Sequence, residues 1–309
     1  MATTMESMGR QLVKVLAGGY SSGTHVFAPP AAALRIAEAA RAPEVTANFD
    51  VTYHGFSDEA KKAFQAAVDV WSVTLTSTVT IRVDAHWTPI VDPRVLGSAG
   101  PETFFRDFPA APEAGTWYPV SLANVLRGSD LSTGDPHITA NFNSNFTNWY
   151  LETDGVTPPD RFDLMSVVLH ELGHGLGFIG SLDVADDGEG SWGLNTPFPI
   201  IYDHFVENLQ GQQLLDTALF QNPSTELAGQ LQSNQLFFNG PHARAGNGNS
   251  PVQIYAPLTW EPGSSFSHLN EVAFPPGNAS SLMSPQIGRG EAIHDPGPVG
   301  MGVLQDLGW

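Results

Sequence analysis

Cysteine is absent from the 309 residues, which excludes a disulfide framework, a thiolate metal ligand and a cysteine nucleophile together. Positive charge is scarce as well: Lys and Arg total 13 against 32 for Asp and Glu, a formal charge of -19. Such a surface repels phosphate backbones and anionic headgroups, so neither nucleic acid nor a membrane is expected as a partner. Long apolar runs are missing too. No stretch reaches the roughly 20 apolar residues that span a bilayer, and QLVKVLAGGY is too short and too interrupted for a secretory signal. What is present is enough apolar material, 41% of the chain, to bury a large core in one domain or two packed subdomains.

Residues 1–45 read as an N-terminal extension, broken at Pro29-Pro30 and carrying an Ala-rich helical stretch around Ala31 to Arg41. The main domain is taken from residue 46, and from Asn48 the pattern is orderly. NFDVTYHGF alternates like a strand, Ser57 stands where a helix cap belongs, DEAKKAFQAAVDVWSVTL has helical spacing, and VTIRVDAHW alternates again. That order suggests a sheet packed on a long helix. Residues 91–135 are rich in Pro, Gly and Asp and predict no definite element. DPHITANFN predicts a strand at a sheet edge, either a plain edge or one that pairs with an extended substrate. Asp160 or Asp163 then caps an apolar helix, FDLMSVVLHELGHGLGF. Residues 179–267 are Gly- and Asn-rich with weak periodicity, and PGPVGMGVLQDLGW predicts a short closing helix stopped at Gly308.

The apolar helix carries HELGH at 170–174. Histidines four apart on a helix share one face, with Cβ atoms about 5–6 Å apart, so His170 and His174 are able to hold one ion. With no thiolates available, that ion must rest on imidazoles and carboxylates, and Zn2+ is the metal expected. Glu171 lies one residue round from His170, off the metal yet near a water bound to it, the placement of a general base. Gly173, Gly175 and Gly177 each cost the helix up to about 1 kcal/mol relative to Ala, which a plain core helix has little reason to accept. Two ligands leave catalytic zinc one short. His268, His204, His294 and the carboxylate of Asp183 are the candidates for the third position, whereas His54, His86, His137 and His242 have no local support. The acidic run DVADDGEG at 183–190 offers oxygen ligands suited to Ca2+, but lacks the spacing of an EF-hand and reads rather as a solvated loop.

HELGHGLG resembles the core of the metzincin peptidases, HExxHxxGxxH followed by a Met-containing turn. The position of their third His is Gly180 here, which cannot bind metal. Leishmanolysin-like metzincins place a long insertion before a distant third His, and residues 178–267 are similar to such an insertion. The resemblance then implies His268 in FSHLNE as third ligand and Met283 in SLMSP as the Met-turn. It also extends to bacterial secreted proteins with an HExxHGLGF core and a DLGW ending. It implies an α+β zincin fold, a mixed twisted sheet with long helices in 46–177 and a loop-rich C-terminal subdomain in 178–309. The activity implied is zinc-dependent peptide hydrolysis, probing peptide or protein substrates, in a protein secreted with a leader not present in this chain. A zinc-retaining binding or adhesion module without turnover, and a zinc hydrolase of other substrates, are the alternatives.

Overall fold

A computed structural model describes residues 5–9, 12–21, 25–26 and 46–309. The Pro29-Pro30 break and the Ala-rich stretch lie outside the described residues. The early strands are β1 (Glu6–Met8), β2 (Val13–Ser21), β3 (His25–Val26) and β4 (Phe49–His54). Helix α1 (Asp58–Thr74) follows, capped by Ser57, whose Oγ accepts the Ala60 N–H at 3.2 Å. Then come β5 (Ile81–Thr88), β6 (Val95–Pro101), β7 (Phe104–Arg106), β8 (Tyr118–Pro119), α2 (Val120–Arg127) and β9 (Ile138–Asn143). Two short parallel strands, β10 (Trp149–Tyr150) and β11 (Phe162–Asp163), lead into α3 (Leu164–Leu176). Of the two acidic candidates it is Asp163 that caps α3, accepting the Ser166 N–H at 2.7 Å.

The second half holds only short elements. Strands β12 (Asp183–Val184) and β13 (Gly190–Ser191) form a hairpin across the acidic run. Strands β14 (Val206–Asn208), β15 (Leu236–Phe238) and β16 (Val252–Gln253) make a small antiparallel sheet, with α4 (Thr225–Leu231) and α5 (Pro241–Gly246) beside it in sequence. After a 3-10 turn at Ser281–Met283 come β17 (Gln286–Arg289), β18 (Ala292–Ile293) and the closing helix α6 (Gly297–Leu307), which ends at Gly308 with φ 123°.

The main sheet has six strands in the order β17-β2-β6-β9-β5-β4. Pairs β4–β5 and β5–β9 are parallel and β6 runs antiparallel to β9. The class is α+β with a mixed sheet, as expected. The edge placement of residues 138–143 is corrected: β9 lies inside the sheet, hydrogen-bonded to β5 and β6. Its side chains already suggest this, since five of its six residues are buried, which an edge strand of alternating polarity does not require. Residues 13–21, at the same time, are part of the main sheet.

Helix α3 is buried along its whole length. The Trp71 Nε1–H of α1 donates to the Leu169 carbonyl at 3.1 Å, fastening the two helices together. On the sheet side, a Cβ at Gly175 would come within 2.4 Å of the Ile138 side chain on β9, so only glycine permits this approach. The chain leaves α3 through Gly177 at φ 128°, and the Trp309 Nε1–H caps Leu176 from the far end of the molecule at 2.8 Å. Among the described residues no helix is long and apolar enough to cross a membrane.

Candidate metal centre

His170 and His174 project from α3 on one face, and the chain brings His268 to meet them. The three Nε2 atoms form a nearly equilateral triangle, with separations of 3.0 Å for His174–His170 and 3.2 Å for each of these to His268. Each opposite nitrogen faces a backbone carbonyl. His170 Nδ1 lies 2.6 Å from Leu282 O, His174 Nδ1 2.7 Å from Phe178 O, and His268 Nδ1 2.7 Å from Ser264 O. A carbonyl only accepts, so every Nδ1 carries the proton and every Nε2 turns a lone pair toward the centre. Three convergent acceptors have nothing to offer one another; a cation among them satisfies all three.

Burial reinforces this state. All three residues are buried, and loss of hydration pushes the His170 imidazole down to about 4. His174 and His268 are held well below the ordinary histidine range, by burial first and then by the neighbouring imidazoles. The rings are therefore neutral at neutral pH, the form that binds metal. This buried group is able to hold a metal ion.

Glu171 is fully buried beside the cluster. Its Oε1 accepts the backbone N–H of Val15 at 3.1 Å, while Oε2 has no partner. Burial pushes the carboxyl well above its ordinary range, opposed by backbone hydrogen bonds from Val15 and Ala99. A cation at the imidazoles acts in the lowering direction. The carboxylate fits against the sheet because position 97 of β6 is glycine, where a Cβ would stand 3.2 Å from Glu171 Oε1.

The departure at Gly180 has a packing cause. A Cβ there would lie 2.1 Å from the Phe266 ring, so the missing side chain makes room for Phe266. Phe266 is held at φ 73°, a left-handed conformation that costs a bulky residue of order 1–3 kcal/mol and persists only where its surroundings impose it. Two residues later the turned chain delivers His268. Met283 sits beneath α3: at Gly173 a Cβ would come within 2.9 Å of its Sδ, and its carbonyl accepts the Leu269 N–H at 2.8 Å. That bond ties the segment of His268 to the turn whose Leu282 carbonyl orients His170.

The other candidates stand elsewhere. Exposed His204 bonds Thr116 Oγ1 at 3.0 Å. His294 lies 2.8 Å from Asp163 Oδ2 and braces the cap of α3. Asp183 is exposed, and within the acidic run Asp187 Oδ1 accepts the Glu189 N–H of its own turn at 3.1 Å. Among the described residues one further group gathers three donors, His54, Asp84 and His86, on the neighbouring strands β4 and β5. Sequence reading gave those histidines no support, because their adjacency depends on strand register. It also missed Val15 as a neighbour of Glu171. Searches against protein-family models, curated proteins and solved structures found no match for this chain.

Proposed function

We propose that the protein is a zinc-dependent peptidase, with His170, His174 and His268 as metal ligands and Glu171 as general base. The observation that carries the reading is the convergence of three carbonyl-anchored imidazoles beside a buried carboxylate with one unpartnered oxygen. The donor set fits zinc: nitrogens bound at about 2.0–2.1 Å in tetrahedral directions stand about 3.3 Å apart, close to the separations found. Three protein ligands also leave a fourth position, as catalytic zinc sites do. Zinc held there supplies Lewis acidity to water and to the carbonyl under attack.

Glu171 Oε2 takes the proton of the attacking water and returns it to the departing amine. Oε1 is steadied by the Val15 N–H, which leaves the second oxygen for proton transfer. The backbone carbonyls behind each imidazole fix the ring orientation and raise its basicity toward metal. A retained base beside the metal favours turnover over a purely binding role, since a structural site has no use for one. The zincin-type fold, the kinship with leishmanolysin-like metzincins and action outside the cytoplasm belong to the same proposal. They rest on the HELGHGLG motif, the distant His268 and the place of Met283 under α3.

The test is incubation of the zinc-loaded protein and its Glu171→Gln variant with a mixed peptide library, with and without a chelator. Cleavage should require metal and fall about 10²–10⁴-fold in the variant, which keeps its zinc. Near-parent cleavage by metal-replete Glu171→Gln would refute the assignment of the base.

A further inference from the structure

The sheet order places β2 between β6 and β17. It runs antiparallel to β6, with Val13 opposite Ala99, Lys14 opposite Ser98 and Val15 opposite Gly97, and parallel to β17, with Leu16 opposite Gln286 and Ala17 opposite Ile287. Without it, both neighbours would present an open edge to a slot one strand wide, the kind of surface that takes an extended peptide by main-chain pairing. That slot lies over the metal helix. Val13 and Val15 are buried, and Val15 borders the same small cavity as His170, Val167 and Ile293.

Polar contacts hold the strand as a guest held by its backbone. The Lys14 N–H donates to Gly263 O at 3.0 Å, that of Leu16 to Pro285 O at 3.0 Å, and that of Ala17 to Arg94 O at 2.7 Å. The N–H of Val15 goes to Glu171 itself. Upstream, the Met8 carbonyl accepts from Thr103 Oγ1 at 2.6 Å and Glu6 pairs with Arg106 at 2.6 Å; downstream, β3 runs parallel to β18. The segment is thus anchored on both sides of the point where it crosses the base. A peptide about to be cleaved must bring a carbonyl to the metal and leave Glu171 free. This strand instead brings a donor that occupies one oxygen of the base.

We propose that the slot between β6 and β17 is the peptide-binding groove of the site, and that residues 13–21 fill it as a tethered blocking strand. The seated form is latent, so the cleavage expected of the parent comes from the fraction of molecules in which β2 has left and an extended peptide has entered antiparallel to β6. This rests on the peptidase reading above.

Two variants of the full chain move the strand in opposite directions. Val15→Asp puts a charge into a buried position and favours release. Lys14→Cys with Ser98→Cys, at facing positions within reach of a disulfide, locks the strand in a chain that has no other cysteine. The readouts are anisotropy of a fluorescent peptide with the sequence LVKVLAGG, and the rate at which a chelator strips zinc. Val15→Asp should bind the peptide and lose zinc at least ten times faster than the oxidised double variant, which should bind none; reduction should restore the behaviour of the parent. Equal peptide binding and equal zinc loss in the locked and released forms would overturn the proposal. If Val15→Asp does not fold, the oxidised and reduced states of the double variant decide it between them. If the groove responds as expected but no form hydrolyses any peptide, the peptidase reading fails and the groove stands. If zinc is not taken up at all, peptide binding alone decides.

Discussion

Two clusters in this molecule each bring two histidines and a third metal-donor residue together, and they are built in opposite ways. At His54, Asp84 and His86 the Nε2 atoms point at the carboxylate between them, 2.7 Å and 3.0 Å from its oxygens, so the donors satisfy one another. The side chains are 50%, 28% and 33% exposed, and the two rings stack with centroids 4.6 Å apart. At His170, His174 and His268 the far nitrogens are spent on backbone carbonyls, the near ones have no internal partner, and solvent is excluded. Proximity is common to both. What makes the second a candidate metal centre is that the fold fixes the tautomer of each ring and leaves a need for a cation that nothing in the protein meets.

The largest effect should separate the two clusters outright. His268→Ala, like His174→Ala, should weaken zinc binding by more than about a hundredfold, since loss of even an outer hydrogen-bond partner commonly costs about 10–100-fold. His54→Ala should leave zinc affinity at the parent value. Competition with a fluorescent chelator measures both, and equal losses in the two variants would erase the distinction.

Acid should distinguish them next, in the metal-free protein. The buried imidazoles titrate below their unfolded value of 6.5, with His170 near 4. Between those limits the unfolded chain binds protons that the native state refuses, so stability falls as pH drops from about 6.5 toward 4. Each imidazole contributes at most about 1.4 kcal/mol per pH unit in that window. Glu171 acts in the opposite sense, because its raised value lets the native state hold a proton the unfolded chain gives up above about 4.5. Asp203 and Asp295, raised by burial, act with Glu171, while His137 and His204, lowered by loss of hydration, act with the cluster, so five imidazoles against three carboxyls leave the net slope positive. Urea titrations across the range should show it, and a flat or inverted profile would contradict the neutral, buried state assigned to the cluster.

A smaller loss is expected at the support of α3. Asp163 accepts from the N–H of Ser166 at 2.7 Å and from its Oγ at 2.6 Å, and meets His294. Asp163→Ala leaves these buried groups unpaired and should cost about 2–3 kcal/mol, read from the denaturation midpoint. His86→Ala, which breaks a partly exposed contact, should change stability by less than about 1 kcal/mol. If the two values were reversed, burial and anchoring would not be what sets the clusters apart.

How much of this was readable from the sequence follows the range of the interactions. The pair His170 and His174 with Glu171 is legible because a helix relates them by spacing alone, and Ser57 and Gly308 mark helix ends for equally local reasons. His268 came from resemblance; spacing left it beside His204, His294 and Asp183, and the geometry brings it alone to the pair. The strands nearest the site were least legible. β6 reads VLGSAGP, too rich in glycine and proline to announce itself, yet Gly97 is what admits Glu171. β9 passed for an edge because its neighbours are far away in the chain. The seating of Val15 against Glu171 joins residues 156 apart, and no local pattern encodes such a contact.

The central claim is that three imidazoles share one zinc and leave a position open. X-ray absorption at the zinc edge of the stoichiometrically loaded protein tests it most directly. The expected spectrum has three imidazole nitrogens and one further light atom at about 2.0–2.1 Å, with one imidazole fewer in His268→Ala. A parent spectrum with two imidazoles or fewer, or one unchanged in the His268 variant, would contradict the account.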